Sequence, residues 1–575
     1  MKKQTKIVAV ASAAAMLAIG ASMTSFAATG WVEEDGQWYY YDKDGNRVED
    51  EWKKSGDNWY WLDSEENGAM ATDKLVEDDD DTYYVDANGV MVKNTWVKVV
   101  NEDQDDDDDP AEYRYYYMQN SGKAYKASDS SSKVQFRTID GKKFAFDDSD
   151  KMLYGWIEKD DPSLQMDDDA WKSATYYLGS WEDGSLKVGW QKISVYDDED
   201  GKEDDYDYWF NFKSNGEKRA SVEDKKINGK HYRFDGRGVM VYTWGLASGA
   251  EASASSAANW QYFNSPEDGA RVTKGWFKVV APMTDGTDNT FKNYGDGTFA
   301  KTNADDESEK WYYADGDGEL YVGAIKKIKG KYYGFRPDDG KKGAAMLTGL
   351  CILQVDNSGN IQKVIDDDIG ADDVDDILDG KYDGQDSWAA DGVSLYYFGN
   401  NADSDGALKT GSTTISLDGS SYNFYFSKTG GTEGKGKGVS GIDDNKYIYM
   451  FGCKVKADAD DKYQLVKVTA NEKGSKDINA DSVAVEKVES ADFRGDAITG
   501  TYTNTDKESV SYTKLEDADL YLVNTAGNVQ KNKTAAKDGN DWYFYVSDYN
   551  AKLYTNNKSL KAKDGSVTDW KGLVK

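Results

Sequence analysis

Residues 30 to 50 read "GWVEEDGQWYYYDKDGNRVED", and residues 51 to 73 continue "EWKKSGDNWYWLDSEENGAMATD". Trp52 and Trp59 lie 21 residues after Trp31 and Trp38. Each stretch sets an opening Trp, a polar turn, a cluster of aromatics and a second, Gly-containing turn in the same order. Rings alternating with polar residues over four or five positions fit a half-buried strand. Asp-Gly and Asn-Gly between such runs are the strongest short-range hairpin signal, because the favoured two-residue turn needs positive φ at both central residues. One hairpin is only marginally stable in water. A chain of them gains stability by burying the rings of each against the next, which makes a solenoid held by nearest-neighbour contacts.

Composition supports that reading. Hydrophobic residues make up 38% of the 575 residues, yet aromatics alone reach 13%, with 41 Tyr and 18 Trp. Flat rings replace the aliphatic core of a compact enzyme, which favours many small cores over one large one. Five Pro against 56 Gly supply tight turns without polyproline linkers. The expected fold is all-β, a solenoid of stacked β-hairpin repeats with an irregular β-rich C-terminal third.

Further copies of the unit follow at variable spacing. "KLVEDDDDTYYVDANGVMVKN" places Tyr83-Tyr84 in the aromatic slot, and "TWVKVV" is separated from "YRYYYMQNSGKAY" by an acidic insert. Other copies end at Trp156 and Trp190, and "KWYYADGDGELYVGAIKKIKGKYYGF" holds two. The pattern loosens near residue 350, where 365–388 is open between a short helix and a solvated acidic loop. The expected organisation is a leader at 1–27, hairpin repeats at 28–349 and degenerate repeats with an acidic insert at 350–453. A small β-rich region at 454–520 and a terminal repeat-like segment at 521–575 complete it.

The start has the form of an export signal. Lys2, Lys3 and Lys6 precede the apolar run "IVAVASAAAMLAI", and Ser25 and Ala27 flank Phe26 as a small-residue cleavage site. The apolar run is shorter than the roughly 20 residues that span a bilayer. Cleavage after Ala27 is expected, with no transmembrane segment in the mature protein. A formal net charge of −35 repels nucleic acid and anionic membranes. Cys351 and Cys453 are the only cysteines, compatible with one disulfide or with two free thiols.

The residues offer little catalytic chemistry. His231 is the only histidine and sits in the first ring position of a hairpin, so a Ser-His-Asp or Cys-His arrangement would depend on it alone. The carboxylates fall in turns and runs such as "EDDDD", where water keeps them ionised, rather than in a cleft that could raise one of them. "DKDGN" and "DGDGE" resemble the opening of a calcium loop, but Gly falls at the fourth position and no Glu at the twelfth. No enzyme activity, cofactor or metal is expected. The rings themselves are the candidates: a groove between successive hairpins suits a quaternary ammonium by cation–π attraction, or a sugar by stacking.

The Gly-Trp, six-residue spacer, Trp-Tyr-Tyr order of Gly30 to Tyr40 resembles the cell-wall-binding repeats of Gram-positive surface proteins. These are the choline-binding repeats, related to the glucan-binding repeats of streptococcal glucosyltransferases. The resemblance is strongest over residues 30–100, intermittent to about 350 and weak beyond. It implies that adjacent hairpins cage choline of teichoic acid between three rings, here Trp31, Trp38 and Tyr60, then Trp52, Trp59 and Tyr84. In the third repeat Leu75 replaces the opening Trp and Tyr83 the slot Trp. The family usually appends such repeats to an enzyme or adhesin domain; with no catalytic constellation in the residues, the expected protein is secreted, non-enzymatic and bound non-covalently to a cell-wall polymer, either choline-bearing teichoic acid or a glycan. A wall-remodelling hydrolase with its catalytic part in the C-terminal third, and a structural surface protein whose rings bind nothing, are the competing readings. N-terminal sequencing of secreted protein should begin at Ala28; Met1 protein recovered intact from the cytosol would contradict the leader assignment.

Overall fold

The computed structural model describes residues 29–575 except 105–109, 128–131, 166, 199–202, 248–258, 280–308, 338–342 and 430–433. The expected leader and its cleavage site lie outside the described residues. The chain divides into two compact units, Met1–Lys225 with Arg233–Met240, and Lys226–Tyr232 with Val241–Lys575.

In the first unit each repeat is a two-stranded antiparallel hairpin. Strands β1 (Gly30–Glu34) and β2 (Gln37–Tyr41) pair with Trp31 opposite Tyr40 and Glu33 opposite Trp38. Strands β3 (Glu51–Ser55) and β4 (Asn58–Asp63) pair with Trp52 opposite Trp61 and Lys54 opposite Trp59. The short β5 (Ala69–Met70) ties the two hairpins into one sheet by pairing with both β2 and β4. Two further hairpins follow, β6 (Lys74–Asp78) with β7 (Asp81–Val85), and β8 (Thr95–Val100) with β9 (Tyr113–Met118).

Strand alternation gives every hairpin two working faces. Trp52, Trp59 and Trp61 share one face and pack on the following hairpin, in a cluster with Val76, Tyr83 and Val85. Tyr60, on the other face of β4, packs back on Trp31 at 5.3 Å between ring centroids. Leu75 and Tyr84 point forward in the same way, against Val97, Tyr116 and Met118. Trp96 then meets Phe144 at 4.8 Å. Each small core therefore spans two adjacent repeats.

The second unit begins with the same element. Gly275–Val279 pairs with Lys310–Ala314, and Ala324–Ile328 with Lys331–Phe335. From Leu350 the hairpins merge into wider sheets of three, five and eight strands. Strand Leu520–Asn524 pairs with Tyr463–Thr469 in the eight-stranded sheet, so the stretch 454–520 and the terminal segment share one sheet. Aliphatic residues return with the wider sheets, and the cluster of Ile352, Val374, Ile377, Leu395 and Val466 is an ordinary mixed core. The acidic stretch 365–388 contains the helix Ala371–Leu378, whose Val374, Ile377 and Leu378 are buried. The Asp373 carboxylate accepts the Gly370 N–H at its start. Cys351 and Cys453 are free, buried thiols, and burial raises the pKa of both.

Many of the acidic residues have a turn role. In the second turn of a repeat, one Asp carboxylate accepts the backbone N–H groups two and four residues on: Asp42 from Asp44 and Asn46, Asp86 from Asn88 and Val90, Asp315 from Asp317 and Glu319. These bonds favour the ionised carboxyl and hold Asp42 below its ordinary pKa. Asp147 makes the same two bonds, to Ser149 and Lys151, but burial wins there and pushes it up from 3.8 to about 6. A folded-state pKa above the unfolded value means that stability is fully present below the unfolded pKa and is lost as pH rises through the folded one. Urea unfolding of the wild type should therefore lose on the order of 2 kcal/mol from this group as pH rises from about 4 to 6. Asp147→Asn, which keeps the acceptor oxygen, should lack that step; identical pH profiles for the two proteins would contradict the assignment.

Aromatic grooves between successive hairpins

The backbone defines equivalent positions in each repeat. Counting back from the first residue of the second turn, the ring three residues earlier faces the preceding hairpin: Tyr60 before Asp63, Tyr83 before Asp86, Phe144 before Asp147. The residue four earlier is the slot, and its carbonyl accepts an N–H from the following repeat. Met91 donates to Trp59, Met152 to Tyr115, Met240 to Trp209 and Met346 to Trp311, at 2.7 to 2.9 Å. Ala69 pairs with Tyr39, which sets Met70 across from Trp38 in the same way.

Among the described residues, five slots thus combine an aromatic residue with a methionine: Trp38, Trp59, Tyr115, Trp209 and Trp311. All five slot rings are half-buried. Each slot residue lies opposite the residue two after the opening Trp, so both rings emerge on one face; Lys192 faces Trp209, and Lys278 faces Trp311. Edge-on contact fixes the pair where it closes most, at 6.3 Å and 84° for Trp190–Trp209 and 6.3 Å and 85° for Trp276–Trp311. The next hairpin supplies a third ring against the opening Trp: Tyr60 at 5.3 Å from Trp31, Tyr83 at 5.1 Å from Trp52, and Tyr333 at 4.8 Å from Trp276. Met91 packs with Trp52 and Trp59, Met152 with Trp96 and Tyr115, and Met346 with Trp276.

The methionines are held by glycines of the next turn. A Cβ on Gly89 (φ +77°) would come within 2.8 Å of the Met70 methyl, and one on Gly122 (φ +94°) within 2.3 Å of the Met91 sulfur. These turns need glycine for both the left-handed backbone and the close approach.

Of the residues expected from sequence, Trp31 and Tyr60 are in ring contact, and Trp38 lies on the face that carries Trp31. Trp52 and Trp59 also share a face. Tyr84 does not join them: Tyr83 is the ring at Trp52, while Tyr84 points to the opposite side and donates its hydroxyl to Asp73. The slot of that repeat is Thr82, whose carbonyl accepts from Ala124. Met70, Met91, Tyr83 and the later grooves at Tyr115, Trp209 and Trp311 were missed. Alignment on the first residue of the Gly-containing second turn (Asp63, Asp86, Gln119, Lys213, Asp315) rather than on the ring pair finds the slots and the back-facing rings, as the three- and four-residue offsets show. His231 is itself a slot residue and accepts the Arg271 N–H through its carbonyl.

One groove carries a polar contact at its slot ring. Beside Trp311, the Asp403 carboxylate accepts the indole N–H at 2.8 Å and pairs with Lys278 at 2.9 Å, which holds it below its ordinary pKa. Among the described residues, no helix is long and apolar enough to cross a membrane.

Two family models match the chain. A choline-binding repeat matches residues 52–96, and a cell wall binding repeat matches residues 29–46 and 306–320. These matches fall on the grooves of Trp38, Trp59 and Trp311. Comparison with curated proteins gives no match. Among solved structures, the autolysin LytC of Streptococcus pneumoniae, in complex with a synthetic peptidoglycan ligand, is 16% identical with a TM-score of 0.29. That match covers 62% of this chain and 60% of LytC, so the chain spans less than two thirds of its length. Choline-binding protein F of the same species is 17% identical with a TM-score of 0.21, over 75% of this chain and 100% of that one. The choline-binding domain of Spr1274, also pneumococcal, is 26% identical with a TM-score of 0.13, over 17% and 95%.

If the glycine contact positions the methionine, Gly122→Ala should destabilise the groove of Trp59 by about 1–3 kcal/mol through overpacking and φ strain. Hydrogen exchange of the Met91 amide, bonded to the Trp59 carbonyl, should accelerate in that variant. An unchanged rate would show that Met91 is placed by other contacts.

Proposed function

We propose, for a chain that carries choline-binding repeats of the cell-wall-binding family, that it is a secreted, non-enzymatic protein held on the wall by its aromatic grooves. The ligand is the quaternary ammonium of choline on teichoic acid, and attachment is non-covalent. The observation that carries this reading is the set of five half-buried slot rings, each facing a methionine from the following repeat. An opening Trp stands on the same face of each of these hairpins. A trimethylammonium group presents a diffuse charge and three methyls, which suit ring faces and a thioether better than a hydrogen-bonding site would. The strongly negative chain adds attraction for a cation and none for a neutral sugar.

Several weak sites along one chain fit a polymer with repeated headgroups, because each engaged groove raises the effective concentration at the next. Wall binding is assigned to the repeats of 28–349. The non-enzymatic reading is supported by His231, which occupies a slot position, and by turn carboxylates such as Asp42 and Asp315 that are engaged by backbone N–H groups.

The test is retention on isolated choline-bearing walls, with elution by free choline. Replacing all five slot rings by Ala should abolish choline-sensitive retention while the β signal in circular dichroism persists. Trp59→Ala alone should weaken its groove by about 2 kcal/mol, some thirtyfold, and remove one saturable equivalent of choline. Tyr84→Phe should remove none. Unchanged retention of the five-ring variant, or equal effects of Trp59→Ala and Tyr84→Phe, would contradict the proposal.

A further inference from the structure

The groove that opens at Trp156 has rings but a different partner. Trp156 meets Phe210 of the following hairpin at 5.1 Å and 65°, the same edge-on contact as in the other grooves. Its slot residue is Thr175, whose carbonyl accepts the N–H of Lys218 at 2.7 Å, where the grooves above have methionine. Gly238 of the next turn packs on the Lys218 stem, 2.8 Å from its Cδ to an added Cβ, as Gly89 packs on Met70. Lys218 is therefore the positional equivalent of the groove methionines.

Its side chain is buried. Lys218 is 8% exposed, and its Nζ lies 5.3 Å from the centre of the Trp156 ring. It donates to the carbonyls of Trp171, at 2.5 Å, and Lys172, at 3.3 Å. Both carbonyls belong to the helix Ala170–Ser173, and the Trp171 side chain is itself buried, with its indole N–H bonded to the Tyr196 carbonyl. Among the described residues Lys218 makes no ion pair. A buried lysine is costly unless its charge is met by directed acceptors or a ring face, and here both are present.

We infer that the Trp156 groove is a cation cage occupied in cis, in which the Lys218 ammonium stands where an open groove would take a ligand cation. The comparison with open grooves rests on the cation-binding reading above. The cage itself takes a primary ammonium, because two carbonyls need N–H donors that a trimethylammonium group lacks. Burial lowers the Lys218 pKa to about 8, with Asp235 and Glu158 opposing the shift through space, so the ammonium is the main form at neutral pH. The groove is thus withdrawn from external ligand, and the helix Ala170–Ser173 is fastened to the following repeat by a charge rather than by a ring.

Rescue of a cavity variant by a small amine tests this in the full chain. In Lys218→Ala, n-propylammonium should refill the site and raise the thermal midpoint of the Trp156 region, followed by near-ultraviolet circular dichroism. At about ten times its dissociation constant the rise should be about 3 °C beyond its effect on wild type. Tetramethylammonium and neutral n-propanol should give no excess rise. Equal shifts in wild type and Lys218→Ala, or rescue by n-propanol, would overturn the inference. If Lys218→Ala does not fold, acetylation of native wild type decides: Lys218 should stay unmodified when the exposed Lys43 is fully acetylated, and equal modification would overturn the cage. Choline binding by wild type, measured in parallel, is independent. Its presence without amine rescue rejects only the cis occupancy, and its absence with rescue rejects only the open-groove function.

Discussion

Ring-to-ring contact between adjacent hairpins is the interaction on which the rest depends. A two-stranded hairpin has too little apolar surface to hold itself together, and this chain is rich in rings that bury a large area each. Trp31 on Tyr60, Trp52 on Tyr83, Trp96 on Phe144 and Trp276 on Tyr333 all meet at 4.8 to 5.3 Å and steep angles. Edge-on packing leaves ring faces unspent, and the half-buried slot ring beside each opening Trp borders the resulting groove. The contact that stabilises the stack therefore also makes its candidate binding sites.

The same frame accepts several fillings. A methionine at the position opposite the slot gives an open, soft-walled groove. Ala124 opposite Thr82 gives a position with neither slot ring nor methionine, where the Thr82 hydroxyl donates to the buried Asp150 at 2.6 Å. Lys218 opposite Thr175 gives a groove with its own cation. One backbone register thus carries candidate sites and spacers along the same chain, and two side chains per repeat distinguish them.

Much of this was legible in the sequence, because hairpin turns and ring alternation are local signals. Asp35-Gly36 and the Trp-Tyr-Tyr run fix the first hairpin, and the 21-residue repeat brings Trp31, Trp38 and Tyr60 to one interface without knowledge of the fold. The third ring of the next groove was misplaced by one residue. The second repeat is longer, and Tyr83-Tyr84 offers no Trp to mark the slot; a shift of one residue in a strand moves a side chain to the other face. The methionines gave no signal of their own, since Met70 and Met91 look like ordinary apolar residues after a turn. Lys218 was invisible for the opposite reason: a lysine in "SNGEKRA" reads as a solvated surface residue until its hydrogen-bond register is known. Beyond residue 350 the wider sheets depend on pairings such as Leu520–Asn524 with Tyr463–Thr469, which no local pattern encodes.

The central claim is that the open grooves recognise positive charge through ring faces rather than apolar shape alone. The direct measurement is a tryptophan-fluorescence titration of the whole chain with choline and with its uncharged isostere, 3,3-dimethylbutan-1-ol. The account predicts saturable quenching by choline and at least tenfold weaker binding of the isostere, the equivalent of about 1.4 kcal/mol or more of cation–π attraction. Equal affinity for the two, or no response to choline in the millimolar range, would contradict it.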